Sequence, residues 1–170
     1  MREAIVQLFE ENKLCKVKLE VDIDPPPAAL FEVKYIDDPV PFSVRAYSGP
    51  SLLAGKMDAI LYRGWQNRIK GRDCYDFAFL VRKKIPLLLP HFEARLRQRG
   101  IYTEKDPLSP GQCMSMISRR IETVDFEAAK TDVAAFIPSP RDLDAWSKDY
   151  FHHVLSNLQF LSSSGGIGHG

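Results

Sequence analysis

The chain has 170 residues, of which 45% are hydrophobic, and this is enough to bury one real core, so we expect a single domain. Its 23 basic and 22 acidic residues nearly cancel, which excludes a global electrostatic attraction to nucleic acids or to anionic membranes. Any contact with nucleic acid must therefore come from a local patch.

The three cysteines, Cys15, Cys74 and Cys113, lie far apart and form no CxxC pair. This spacing argues against a disulfide framework and against a zinc knuckle, and it suits the reducing cytosol. No stretch approaches the ~20 apolar residues of a membrane span, and the N-terminus has no signal-peptide pattern. The sequence therefore predicts a cytoplasmic protein that makes no membrane contact.

The first elements in the chain are predicted strands. Residues 15–23 carry the clearest signature, because apolar and charged side chains alternate strictly along them. Prolines at 25–27 end this strand, since proline donates no hydrogen bond to a sheet. The alternation resumes at 31–35 and again at 42–46. We predict a small antiparallel meander of three strands.

Helical patterns follow the strands. Apolar residues recur at three- and four-residue spacings after Ser51, a good N-cap, and predict a helix over 51–61. An exposed loop is expected at 64–71 and a second helix over 73–80. The remaining candidate helices cover 92–98, 112–123, 126–136 and 143–158. The glycine-rich end of the chain, 161–170, is expected to be a disordered tail.

The order of these elements, strands first and helices afterwards, is typical of an α+β fold. We expect a small, mostly antiparallel sheet from the N-terminal part, packed with a helical C-terminal part. One domain would cover 1–160, strand-rich over 1–50 and helical over 51–160.

Three motifs stand in a fixed order along the chain: KVKLEVDI, SLLAGKMDAILYR and RDCYDF. Their polar members are Lys18, Glu20, Lys56, Arg72, Asp73 and Asp76. This combination resembles the AbiEii/AbiGii toxin family of nucleotidyltransferases, which show a lysine-x-carboxylate strand, a serine-led helix with a lysine, and an arginine-aspartate-x-x-aspartate motif. The resemblance covers residues 16–80, and its specificity lies in the ordered combination, since each motif alone is weak.

The resemblance implies a chemistry. The family belongs to the DNA polymerase β superfamily, whose members hold divalent metal on carboxylates and transfer a nucleotidyl group from a nucleoside triphosphate. It implies a toxin component of a toxin–antitoxin or phage-defence system, with an RNA or protein acceptor and a cognate antitoxin protein as partners. Mg²⁺ prefers oxygen ligands, and lysine or arginine neutralises a triphosphate.

The resemblance also implies roles for individual residues. Glu20 would be the strand carboxylate beside the metal, and Lys56 would meet the triphosphate. The catalytic residues implied are Glu20, Lys56, Asp73 and Asp76. The nucleotide-binding residues implied are Lys18, Lys56 and Arg72, and the metal ligands are Glu20 and Asp22.

The sequence departs from the family at its first motif, a glycine-serine pair followed by aspartate-x-aspartate, which supplies the principal metal ligands. The residues before the 15–23 strand do not contain it, so that strand-rich part reads as a remnant of a nucleotidyltransferase core. The chain then is a fragment of an enzyme, one half of a split enzyme, or a non-catalytic protein-interaction module. Alternatively, Glu20, Asp22 and Asp24 project from one face of an extended strand and gather a metal unaided.

Each candidate also has a purely structural interpretation. The stem of Lys56 would run along the core edge and put its charge into water. Asp73 would suit the dipole at a helix start, and Asp76 would be a polar partner for Arg72. A basic patch that includes Trp65 is either a phosphate-binding surface or a solvated face. Its basic residues are Arg63, Arg68, Lys70, Arg72, Arg82, Lys83 and Lys84. The histidines lack the spacing of a metal site.

Overall fold

The computed structural model describes residues 2–10, 13–62, 70–137 and 139–162, with the backbone alone over 2–10 and 13–18 and at Glu20 and Pro140. The described chain begins with two antiparallel hairpins. The first joins β1 (Arg2–Glu10) to β2 (Lys13–Val21), and the second joins β3 (Phe31–Ile36) to β4 (Phe42–Tyr47). Helices follow, so the predicted α+β class with antiparallel N-terminal strands is confirmed.

The predicted three-stranded meander is wrong, because among the described residues β2 pairs with β1 and β3 pairs with β4. The sequence did not reveal β1 because Ile5, Val6, Leu8 and Phe9 do not alternate with polar residues. The register of the hairpin places Ile5 opposite Lys18. Pairing with a neighbour, rather than a period-two pattern, makes this segment a strand.

The strand β2 ends at Val21, two residues earlier than the alternating pattern predicts. Beyond it the backbone N–H of Asp24 donates to Oδ1 of Asp22 at 3.1 Å, and both side chains are exposed. The expectation that Glu20, Asp22 and Asp24 project from one strand face is therefore wrong for the two aspartates. Aspartate side chains often accept a hydrogen bond from the backbone N–H two residues later, and the turn that this bond forms competes with the extended conformation of a strand.

The rest of the described chain is mainly helical. The helices are α1 (Gly49–Tyr62), α2 (Gly71–Arg82), α3 (Leu89–Gln98), α4 (Pro110–Thr123), α5 (Phe126–Val133) and α6 (Lys148–Ser156). Short 3-10 helices cover Ala134–Phe136 and Pro140–Leu143, and β5 (Leu87–Leu88) pairs in parallel with β6 (Phe160–Leu161). No helix in the described ranges is long and apolar enough to cross a membrane.

Several boundaries differ from the sequence pattern. Ser51 is not an N-cap but a buried residue of α1, whose Oγ accepts from the N–H of Leu30 (2.8 Å) and donates to its carbonyl oxygen (3.0 Å). Gly71 is the buried first residue of α2 rather than the end of an exposed loop, and 63–69 lie outside the described residues. Leu161 lies in β6 rather than in a tail, whereas 163–170 are not described.

The helices build the core. Leu53 and Met57 of α1, Phe77 of α2, Phe92 of α3 and Ile117 of α4 are all at most 2% exposed. Phe151 of α6 stacks on Phe126 of α5, with ring centroids 4.7 Å apart. The β3–β4 hairpin contributes little, because most of its apolar side chains remain exposed: 78% for Tyr35, 58% for Val33 and 50% for Phe42.

Candidate functional site

The packing of α1 on α2 brings two of the predicted site residues together. Nζ of Lys56 lies 2.6 Å from Oδ2 of Asp76, and the two side chains are 31% and 36% exposed. The two residues are twenty positions apart in sequence, so the pair exists only because the helices pack. Asp76 is thus the partner of Lys56 and not of Arg72, which the sequence had suggested.

Asp73 lies one turn before Asp76 on α2 and is only 2% exposed. It occupies the first turn of the helix, where the dipole favours a carboxylate, and its backbone N–H donates to the carbonyl oxygen of Lys70 at 2.9 Å. Burial of a carboxylate is costly unless it is partnered, so Asp73 belongs to a structured polar site.

A cavity of about 230 Å³ opens beside Lys56 and Asp73. Its lining comes from β4, α1, α2 and α3, and consists of Tyr47, Ser51, Leu52, Gly55, Lys56, Ala59, Asp73 and Arg95. The cavity therefore collects one cation and one carboxylate from the motifs, and a second cation from a helix that carries no motif. Arg72 is exposed and is not part of this lining.

Arg95 is the residue of this cavity that sequence reasoning missed. Its guanidinium lies against Gly55, where an added Cβ would come within 3.4 Å of Nη2. Nε donates to Nε2 of His91 at 3.2 Å, and Nη1 lies 3.7 Å from Oδ2 of Asp58. Two side chains thus hold Arg95 in place. The only signal in the sequence is the spacing of His91, Arg95 and Arg99 at four-residue intervals on one helix face.

His91 is fully buried and acts as a structural link rather than as a metal ligand. Nδ1 donates to the carbonyl oxygen of Pro27 at 2.8 Å, which leaves Nε2 to accept from Arg95. Burial is the main cause that lowers the pKa of His91 below its usual range. The neutral ring therefore ties the segment between the hairpins to the arginine of the cavity.

The segment after β2 reaches the other side of Arg95. A cavity of about 260 Å³ lies there, with Asp22 and Pro26 on one wall and Asp58, Arg95, Gln98 and Arg99 on the other. Asp58 is 4% exposed and accepts two hydrogen bonds from Arg99, at 2.7 and 2.9 Å. Gln98 Nε2 donates to the carbonyl oxygen of Asp24 at 2.9 Å. The end of the predicted site strand is thus anchored next to Arg95.

The predictions for the strand itself lie partly outside what the structure describes. The backbone of Lys18 and Glu20 is placed in β2, but their side chains lie outside the described residues. Asp22 is exposed. Among the described residues, no three histidine, cysteine, aspartate or glutamate side chains group as a metal site.

The predicted basic patch is described only in part. Arg63, Trp65 and Arg68 lie outside the described residues, while Arg82, Lys83 and Lys84 are exposed at the C-terminal end of α2.

Comparison with known proteins adds one match. The model of the AbiEii family, described as nucleotidyl transferase AbiEii toxin of type IV toxin–antitoxin systems, matches residues 3–159. Searches of curated proteins and of solved structures found no match. The matched range contains all three motifs and also the helical part, in which the sequence showed no recognisable motif.

Proposed function

The chain belongs to the AbiEii family of nucleotidyl transferase toxins of type IV toxin–antitoxin systems, and we propose that it holds a nucleoside triphosphate in the Lys56 cavity for transfer of a nucleotidyl group to an RNA or protein hydroxyl. The observation that supports this proposal is that Lys56, which pairs with Asp76, lines one cavity together with Arg95 and Asp73. Two cations beside two carboxylates suit a phosphate chain and its counter-ion.

The proposed roles follow from the contacts. Asp76 holds the ammonium of Lys56 while no phosphate is present, and the triphosphate replaces this carboxylate as the partner of Lys56. Arg95 is oriented by His91 and Asp58, so its guanidinium meets phosphate oxygens without a large loss of side-chain freedom. In the transfer, the acceptor oxygen bonds to the α-phosphorus, the bond from that phosphorus to the bridging oxygen breaks, and pyrophosphate leaves. The hydroxyl proton passes to a carboxylate of the site.

Mg²⁺ is the cofactor that we propose. It is usually held by one or two carboxylates together with substrate phosphates, and Asp73 and Asp76 supply such a pair of oxygen donors. When bound, the ion would neutralise charge on the phosphates. Glu20 remains a proposed further ligand, because its backbone lies only two residues before Asp22, which lines the neighbouring cavity.

Nucleotide binding by titration calorimetry tests this site. Lys56→Ala should abolish Mg²⁺-dependent binding of each nucleoside triphosphate, whereas Lys105→Ala, which removes an exposed lysine outside the cavity, should not. The Lys56–Asp76 pair is partly exposed, so its loss should cost only about 1 kcal/mol or less and leave the fold intact. Unchanged binding in Lys56→Ala would refute the site.

Two further variants separate the predictions of the sequence from those of the structure. Arg95→Met should weaken binding, whereas Arg72→Ala should not, because only Arg95 lines the cavity. Transfer is then measured with α-labelled nucleoside triphosphates, Mg²⁺ and total RNA or protein from the host. Label transfer by the wild type that disappears in Lys56→Ala supports an active enzyme.

A second candidate function is protein binding, and one observation favours it. The β3–β4 hairpin exposes apolar side chains on both of its faces, among them Val33 and Tyr35 on one and Phe42 on the other. Exposed apolar patches of this kind mark interaction sites. The cognate antitoxin or a chain that supplies further carboxylates would dock there. Co-expression with the antitoxin followed by size-exclusion chromatography tests this function. The wild type should elute in a complex with the antitoxin, and Tyr35→Asp should elute without it. Elution of the wild type without the antitoxin would refute this candidate function.

A further inference from the structure

A second cavity, of about 370 Å³, lies where the C-terminal end of α2 meets α6. Its floor is apolar, made by the buried Val81 and Val154. The polar groups around it are Arg82, Lys84 and His153, together with the side-chain amides of Asn157 and Gln159. None of the described residues that line this cavity, which we call the α2–α6 cleft, carries a carboxylate.

The basic side chains of the cleft are not used to hold the fold together. Among the described residues, Arg82, Lys84 and His153 form no ion pair and no side-chain hydrogen bond, and all three are exposed. Elsewhere on the helices, by contrast, Lys130 pairs with Glu127 and Lys148 pairs with Glu122. The cleft therefore presents unpaired donors to whatever enters it.

Lys84 occupies a backbone conformation that a lysine rarely adopts. α2 ends in a Schellman motif, in which the N–H of Ile85 donates to the carbonyl oxygen of Leu80 (3.1 Å) and that of Lys84 to Val81 (2.8 Å). Lys84 is the left-handed residue of this motif, with φ +56°. The same position at the end of α3 is filled by Gly100, with φ +71°, as the sterics favour. At the end of α2 the left-handed position is thus occupied by lysine despite the backbone strain, and this lysine places its ammonium group at the cleft.

We propose that the α2–α6 cleft binds phosphate groups of the backbone of a single-stranded RNA, the acceptor class that the basic residues favour over protein. Arginine, lysine and amide donors bind phosphate oxygens, and Tyr150 in the wall offers an aromatic surface. The choice of RNA rests on the proposed nucleotidyl transfer. Arg82 lies six residues after Asp76 on α2, a rise of about 9 Å along the helix axis.

The test is fluorescence anisotropy of a labelled 20-nucleotide oligo(U), titrated with the full chain in EDTA, without nucleotide, over a series of salt concentrations. The logarithm of the binding constant falls linearly with the logarithm of the salt concentration, and each phosphate contact to a single strand contributes about 0.7 to this slope. One contact therefore raises the affinity at 0.1 M salt about fivefold relative to the affinity at 1 M salt. Lys84→Gly and Arg82→Gln should each weaken binding about fivefold at 0.1 M salt and lower the slope by about 0.7.

The matched control is Lys83→Ala, which removes the same charge one residue away but outside the cleft. It should change the affinity less than twofold. Lys84→Gly also places glycine where the backbone favours it, so its melting temperature should not fall, and lost binding cannot be ascribed to unfolding. Unchanged affinity in Lys84→Gly, or an equal loss in Lys83→Ala, would overturn the proposal.

Two further measurements separate the sources of phosphate and the two sites. Inorganic pyrophosphate at a concentration equal to that of RNA phosphate should not displace the oligonucleotide, and complete displacement would overturn an RNA site in favour of a free anion. Lys84→Gly should keep Mg²⁺-dependent nucleotide binding. A different result would separate the two sites: if neither the wild type nor Lys84→Gly binds nucleotide, but Lys84→Gly binds RNA more weakly than the wild type, the proposed nucleotide site is refuted and the RNA site is supported.

Discussion

Replacement of Gly71 by alanine should destabilise this protein more than an alanine substitution at a helix start ordinarily does. Gly71 is the first residue of α2 and packs directly on the backbone of α5. An added Cβ would overlap the carbonyl oxygen of Ala129, and would lie 2.9 Å from its carbonyl carbon and 3.0 Å from Cβ of Val133. Since the obstacle is backbone, α2 and α5 must separate.

The magnitude follows from the packing that this separation would disturb. A gap of 0.5–1 Å loses about a quarter to a half of each dispersion contact, and insertion of a methyl group into a packed interior typically costs about 1–3 kcal/mol. The N–H of Gly71 also donates to Oδ2 of Asp132 at 2.9 Å, and its loss adds about 1 kcal/mol. The helix propensity of alanine offsets about 1 kcal/mol, so we expect a net loss of about 1–3 kcal/mol.

Urea unfolding followed by circular dichroism measures this loss, with Gly111→Ala as the matched control. Gly111 also lies in the first turn of a helix, α4, but nothing lies within 4 Å of its added Cβ. The control should therefore be stabilised, by up to about 1 kcal/mol, through propensity alone. Equal midpoints for the two variants would refute the close packing of α2 on α5.

Two further predictions concern buried titratable groups. Burial holds the pKa of His91 below its usual 6.5, so the unfolded chain takes up a proton first, and the free energy of unfolding should fall as pH drops from 7.5 to 5.5. Between pH 7.5 and 5.5 the urea midpoint of His91→Gln should fall less than that of the wild type, whereas the midpoint of His153→Gln should fall as much as that of the wild type. The same fall in the wild type and both variants would contradict this prediction. Burial also raises the pKa values of Cys74 and Cys113 to about 12, so iodoacetamide at pH 8 should label them only in urea, as mass spectrometry can check. Rapid labelling of the folded chain would show that these thiols are accessible.

The folded chain also shows why part of the site was visible in the sequence. The motifs that carry the family resemblance are short local segments in a fixed order, so Lys56, Asp73 and Asp76 could be singled out by their positions in those motifs. The pairing of Lys56 with Asp76 could not be predicted from local patterns, because it requires α1 and α2 to pack with one particular offset along their axes.

The errors have the same origin. Ser51 has the chemistry of an N-cap, but its hydroxyl bonds to Leu30 because β3 begins beside α1. Gly71 has the chemistry of a loop residue because glycine is unfavourable in helices, whereas its lack of a side chain permits α2 to contact the backbone of Ala129. In both cases a distant backbone group decides the role of the residue, and local patterns carry no information about it.

The sequence by itself determined the family resemblance, the strand-then-helix order and the separation of polar from apolar faces, since these depend on neighbours within one or two turns. Only the tertiary structure decided that Arg95 joins Lys56 in one cavity and that Lys84 and His153 share another. These groups come from segments that lie far apart in the chain. Their distances are fixed by how the helices pack, which depends on the shape of the whole core rather than on any local segment.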